Sequence, residues 1–198
     1  MKIHLISTNT FPSDQGLRTL SSCLKREGHD VKMVFLPLGT WDYDVVYDKD
    51  VLEILKNEVK DTKLIGINAM ASTRKRAEQL IKFFEDMDIP VVWGGPHPTF
   101  FPDKAFEAGN IICVGEAEEA FIEFANRLER GEDITKIKNF YIRKEGKEYK
   151  NNVRDIEHKD LDWLAHPDYD IDEHKILENG KLIKFEERYL GGMVFFQT

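Results

Sequence analysis

Five short apolar runs, Lys2–Ser7, Val31–Leu36, Leu64–Met70, Pro90–Trp93 and Ile111–Val114, are separated by stretches whose apolar residues recur at helical spacing. Leu17, Leu20 and Leu24 mark one helical face; Val51, Leu52, Leu55 and Val59 a second; Ala77, Leu80, Ile81 and Phe84 a third; Ala117, Ala120, Phe121, Phe124 and Leu128 a fourth. Ser13 or Asp14, and Ser72 or Thr73, stand where helices need amino-terminal caps, while Gly28 and Gly131 stand where they end. Strands that are apolar throughout need cover on both faces, and parallel neighbours need crossover helices to provide it. The expected fold is α/β: a flavodoxin-like or Rossmann-like five-stranded parallel sheet of order 2-1-3-4-5, with helices on both faces. In that order the chain reverses direction between strands one and three, opening a crevice at their carboxyl ends where such sheets bind ligands. The loops after Ser7, Met70, Trp93 and Val114 then share one rim.

Past Gly131 the pattern changes, so we expect an α/β domain over 1–131 and a hairpin, strap and linker over 132–198. Phe140–Arg143 and Lys147–Lys150 flank Lys144-Glu145-Gly146, which reads as a β-hairpin with Gly146 supplying positive φ. From Asn151 to Asp172 the chain is polar, with isolated anchors at Leu161, Trp163, Leu164 and Tyr169, and we expect a strap packed over another element. Lys181–Thr198 turns apolar again and stops. We expect it to be poorly anchored, or to pair with a second copy in a dimer.

Composition removes several functions. At 198 residues, 41% hydrophobic and 32% charged, the chain has the core of one ordinary domain plus an extension. A net charge of −8 without a basic stripe argues against nucleic acid as a partner. Cys23 and Cys113, far apart in apolar surroundings, read as reduced thiols in a cytoplasmic protein. No run has the length of a signal-peptide core or a membrane span.

The functional signal is densest in Pro90–Glu118. Gly94-Gly95-Pro96-His97-Pro98-Thr99 and Gly115-Glu116-Ala117-Glu118 each follow a strand and face the expected rim. Gly94-Gly95 lets backbone approach a planar group closely, although turns also use glycine freely. Ser72 and Thr73 suit either hydrogen bonds to a ligand or simple capping. His97 is either a donor to a ligand or a loop histidine fixing its own backbone, and Glu116 and Glu118 either accept from ligand amides or only favour the first helical turn. His158, His166 and His174, eight residues apart, lack the short pairing of a metal site and read as packing or solvated side chains. Trp41, Tyr43 and Tyr47 line the pocket mouth or cover a core patch.

Taken together, the GGPHPT loop, the VGEAEEAF turn, the hairpin and the Leu161-Asp162-Trp163-Leu164…Pro167-Asp168-Tyr169-Asp170 strap resemble the amino-terminal cobalamin-binding domain of B12-dependent radical S-adenosylmethionine enzymes. The resemblance covers nearly the whole chain. It implies cobalamin as the bound partner and, in the full-length protein, a radical SAM barrel in cis carrying a [4Fe-4S] cluster on Cys-x-x-x-Cys-x-x-Cys together with S-adenosylmethionine, the activity being that of a methyltransferase. Met193–Thr198 resembles the strand entering that barrel, and neither Cys23 nor Cys113 has the cluster spacing. Other cobalamin modules carry Asp-x-His-x-x-Gly after strand one; here that loop, Thr8–Gly16, has no histidine. The resemblance therefore implies cobalamin held base-off, without an imidazole from this loop. The positions expected to bind it are Thr10, Phe11, Ser72, Thr73, Gly94, Gly95, Pro96, His97, Gly115 and Glu116, with no catalytic or metal-ligating residue. A flavodoxin-like regulatory or nucleotide-binding module without catalysis is the alternative. The acidic pair of a phosphoacceptor receiver and the Gly-x-Gly-x-x-Gly of a dinucleotide reader are both missing.

Overall fold

The computed structural model describes residues 1–40, 42–155 and 162–190; Trp41, His158, Leu161 and the 191–198 tail, all singled out above, lie outside them. Each apolar run forms a strand: β1 (Lys2–Ser7), β2 (Asp30–Phe35), β3 (Leu64–Asn68), β4 (Val91–Gly94) and β5 (Ile111–Cys113). These pair in parallel in the order β2-β1-β3-β4-β5, with Ile3 opposite both Val31 and Leu64.

The sheet is larger than the expected five strands. Among the described residues it has nine, in the order β7-β6-β5-β4-β3-β1-β2-β8-β9. The hairpin β6 (Phe140–Lys144) and β7 (Lys147–Lys150) adds antiparallel to β5, and a second hairpin, β8 (Lys175–Glu178) and β9 (Lys181–Lys184), adds through β8 parallel to β2. Both sheet edges that a five-stranded domain would expose are thereby paired. The expectation of a loose carboxyl-terminal segment is corrected for 181–190: Lys181–Lys184 is paired, Phe185 is buried with its ring 5.0 Å from Phe35, and the Tyr189 hydroxyl donates to Glu178 at 2.6 Å.

The helices divide between the two faces as the alternation of side chains along the strands dictates. Ile3, Leu5, Val31 and Met33 meet α1 (Gln15–Arg26) and α6 (Glu118–Arg130) through Leu17, Leu20, Leu24, Phe121 and Phe124. Ile6, Val34, Ile65 and Ile67 meet α2 (Lys49–Val59) and α3 (Arg74–Phe84) through Leu55, Val59, Leu80 and Phe84. Two short helices were not expected, α4 (Pro96–Phe100) and α5 (Pro102–Ala108). Each opens with proline, whose missing N–H costs nothing in a first turn. Among the described residues no helix is long and apolar enough to cross a membrane.

Candidate functional site

Because β1 hands its chain to α1 on one face and β3 hands its chain to α3 on the other, the loops beyond these neighbouring strands diverge. A cavity of about 850 Å³ opens there. Its rim is built from the loops after β1, β3, β4 and β5. From the rim it continues between the sheet and α1 and α6, over a floor of Leu5, Gly66, Val92 and Cys113 and past Leu17, Leu20 and Phe121. Gly66 is required by packing, since a Cβ there would come within 2.8 Å of Leu5 Cδ2 and 3.1 Å of Phe121 Cζ.

One carboxylate organises the first loop. Asp14 Oδ2 accepts from Ser7 Oγ at 2.7 Å, Asn9 Nδ2 at 3.0 Å and Asn68 Nδ2 at 2.5 Å, while Oδ1 accepts from Leu17 N–H in the first turn of α1. The sequence marked Asp14 only as a helix cap; the structure makes it the link joining the ends of β1 and β3. Thr99 does similar work on the other side, donating to Gly95 O and accepting from Gly115 N–H, both at 3.0 Å. Asn139, in the left-handed region at φ 73°, braces the following turn by donating to Val114 O at 2.7 Å.

Nine of the ten positions expected from the sequence border this cavity: Thr10, Phe11, Ser72, Thr73, Gly94, Gly95, Pro96, Gly115 and Glu116. The Thr73 hydroxyl is already engaged, lying 3.1 Å from Thr8 Oγ1 and accepting from Met70 N–H at 3.2 Å. His97 stands apart. It is buried beneath the rim, stacked on Trp93 at 5.2 Å and against Phe101 at 5.5 Å, and its Nδ1 has no hydrogen-bond partner among the described residues. Burial, with Arg74 nearby, lowers its pKa. Glu118 also lines the cavity, and burial, reinforced by Glu116, raises its pKa. The residues the sequence did not single out as site positions, Asn9, Asn68, Thr99 and Met70, are ordinary polar or apolar types whose roles come from strand ends meeting in space. Of the aromatic run, Tyr43 lines the cavity, whereas Tyr47 is core, its hydroxyl donating to Leu36 O at 3.0 Å.

The family model for the B12 binding domain matches residues 1–125. The chain belongs to that family. Cobalamin is the cofactor this membership brings. No curated protein matches the chain. Among solved structures, the apo form of the cobalamin-dependent S-adenosylmethionine radical enzyme OxsB aligns at a TM-score of 0.65 and 19% identity, over 86% of this chain and 24% of OxsB. OxsB with aqua-cobalamin and S-adenosylmethionine bound aligns at 0.60 and 20%, over 78% of this chain and 22% of that one. The radical S-adenosylmethionine methyltransferase TsrM from Kitasatospora setae, with tryptophan substrate and a SAM analogue bound, aligns at 0.62 and 18%, over 76% of this chain and 30% of TsrM. At these identities the likeness is one of fold, and this B12-binding domain spans less than a third of each of those chains.

The residues present suit such a cofactor. The floor is apolar, as a flat heteroaromatic tail requires, while the rim offers side-chain hydroxyls and the first turn of α1, whose leading N–H groups have no partner within the helix. At Gly16 an added Cβ would meet nothing within 4 Å, and at Gly94 only Cys113 Cβ at 3.9 Å, so both leave open space in the cavity. Gly95 differs: it sits at φ 98°, and a Cβ there would lie 1.9 Å from Asn68 Oδ1. Its glycine is required by the protein's own turn, one of the two readings that the sequence left open.

Proposed function

We propose that this B12-binding domain is the cobalamin-holding module of a B12-dependent radical S-adenosylmethionine enzyme, a methyltransferase, and that it holds cobalamin base-off with no histidine of the first loop on cobalt. One observation carries the reading: the cavity of about 850 Å³ has a rim of loop residues and an apolar slot lined by Leu5, Leu17, Leu20 and Phe121, and among the described residues no histidine lines it. The rim suits a corrin and the slot its nucleotide tail. When bound, cobalamin supplies a cobalt centre able to carry a methyl group. The chain's own part is to hold and orient it. Thr10 and Phe11 wall one side of the rim, Ser72 offers a hydroxyl from the β3 loop, Gly94, Gly95 and Pro96 present backbone, and Gly115 and Glu116 close the far side. Thr73 and His97 contribute by fixing these loops from within the protein.

In this reading residues 1–131 hold the cofactor and 132–198 lead toward a barrel in the same polypeptide that carries the [4Fe-4S] cluster and S-adenosylmethionine. The gene downstream of Thr198 is then expected to encode Cys-x-x-x-Cys-x-x-Cys. Two buried free thiols, Cys23 and Cys113, suit a cytoplasmic setting. The test is to mix the purified chain with hydroxocobalamin, pass it through gel filtration and record the visible spectrum of the protein peak. Co-elution with a base-off spectrum is expected; a cobalamin-free peak, or a base-on spectrum, overturns the reading.

A further inference from the structure

We infer that Arg18 is a positioning residue through which the strap, residues 162–174, sets the shape of the cavity wall formed by the first loop. The inference rests on the reading that cobalamin occupies this cavity. Arg18 is wholly buried, in α1 directly after the cavity-lining Leu17, yet it does not itself line the cavity. Its guanidinium sits 4.7 Å from the Phe35 ring centroid, 5.0 Å from that of Phe185 and 5.4 Å from that of Tyr169. A cation so deeply buried needs partners, and Arg18 has two carbonyls at opposite ends of its fork. Nη1 donates to Asp168 O at 2.8 Å and Nη2 to Pro12 O at 3.1 Å. One rigid, planar group therefore joins the strap to the first loop. Pro12 lies between Phe11 and Ser13, both of which line the cavity, so its placement fixes that wall.

The strap end of this link is itself fastened. Asp168 N–H donates to Arg18 O at 3.1 Å, and the Asp168 carboxylate accepts from Ser21 Oγ at 2.6 Å, pairs with Lys25 Nζ at 3.1 Å and lies 3.0 Å from His174 Nε2. His174 Nδ1 accepts from Met33 N–H on β2, which fixes the ring beside the Asp168 carboxylate. A second, outer link runs from the Tyr169 hydroxyl to the side-chain amide of Gln15, at 3.0 Å from Nε2, and Gln15 borders the cavity. An uncharged side chain here could not hold Asp168 and Pro12 at a fixed separation. Displacing the strap would thus displace the loop, and seating it would complete the cavity.

The experiment uses the whole chain in three forms besides wild type: Arg18→Lys, Asp168→Asn, and Ile142→Val as a buried control on β6 away from the cavity. Amide hydrogen exchange is followed over residues 9–13 without ligand, and hydroxocobalamin affinity is measured by spectral titration. Both strap-link variants should quicken exchange in that loop and weaken cobalamin binding about tenfold, beyond what the control loses for the same drop in melting temperature. Asp168→Asn touches no cavity residue, so it keeps the test decisive if Arg18→Lys fails to fold. Quickened exchange confined to 162–174, or affinity that falls only in proportion to stability, overturns the inference. If wild type takes up no cobalamin, the cavity's proposed ligand is wrong, while loop exchange, which needs no ligand, still decides whether Arg18 links strap and loop.

Discussion

At the scale of single residues, two adjacent glycines that look alike in sequence separate into different physical cases. Gly95 occupies a backbone region that side chains rarely adopt and faces Asn68 Oδ1, so Gly95→Ala carries both torsional strain and a clash. We expect it to lower unfolding free energy by about 2 kcal/mol or more, which for a chain of this size is a melting-temperature drop of roughly 4–8 °C. Gly94→Ala places its methyl in open space at the end of a strand, where alanine is worth up to about 1 kcal/mol more than glycine, so stability should hold or rise. Its effect should fall on the cavity instead, as reduced retention of cobalamin through gel filtration. Thermal melts of the ligand-free variants beside retention assays check both; equal losses of stability and retention in the two variants would contradict the distinction. The sequence could place both glycines on the rim because they follow a strand. It could not separate them, because the partner that makes Gly95 obligatory is Asn68, which comes from another strand and meets it only in the fold. His97 makes the same point: the sequence left it as either a donor to a ligand or a loop histidine fixing its own backbone, and only the packing of the β4 loop puts it beneath the rim, stacked on Trp93.

At the scale of elements, the hairpin and the strap after Gly131 were legible as local signals, and where they attach was not. The β8–β9 turn carries Asn179-Gly180 with both residues at positive φ, 49° and 73°, the conformation that Asn-Gly favours in two-residue hairpins. That signal is present in the sequence, but the flanking strands are short and lysine-rich, so little apolar periodicity stands beside it. What attaches β8 to β2 is tertiary. Glu58 of α2 pairs with Lys175 of β8 and lies 3.7 Å from His4 of β1, and Asp168 is gripped as described above. Contact with His4, opposed by burial and aided by Lys175, holds Glu58 at about 2, against an ordinary value of 4.5. Asp168 is likewise lowered from 3.8: burial pushes it up, but contact with His174 and Ser21 outweighs that. A carboxylate whose folded pKa is depressed contributes stability above its unfolded pKa and loses it as pH falls toward the folded value. The strap and the β8 edge should therefore weaken as pH drops from about 4.5 toward 2. Asp168→Asn should be less stable than wild type at neutral pH, by about 1–3 kcal/mol for a buried carboxylate's lost partners, and the gap should begin to narrow as pH falls below about 4. Melting curves followed by circular dichroism across that range check this, and a gap that stays constant with pH would show that the Asp168 charge contributes nothing.

For the whole molecule, the two hairpins turn a five-stranded crossover unit into one sheet whose outermost strands, β7 and β9, are both four residues long. Parallel pairing and the crevice at the β1–β3 reversal follow from the alternation of strands and helices, so the centre of the sheet and the place of the cavity could be read from sequence. Of the four outer strands, the β6–β7 hairpin was legible and the β8–β9 hairpin was not, and neither hairpin's choice of edge was, because that choice is made by partners far along the chain. The outer strands also bear on self-association. β7 carries Lys147 and Lys150, and β9 carries Lys181 and Lys184, and charged side chains on short edges oppose pairing with a second copy. Lys150 is further engaged by Asp103 at 2.7 Å, which holds β7 to the first turn of α5. A chain ending at residue 190 keeps both edges, Phe185 in the core and the Tyr189–Glu178 bond, so it should be monomeric by light scattering at concentrations up to the micromolar range. Any dimer formed by the 198-residue chain should then depend on residues 191–198, whose Val194, Phe195 and Phe196 supply apolar surface worth about 25 cal/mol per Å² when buried. A dimer that persists after those eight residues are removed would put the contact on the sheet edges or the cavity rim, and the argument from edge lysines would fail.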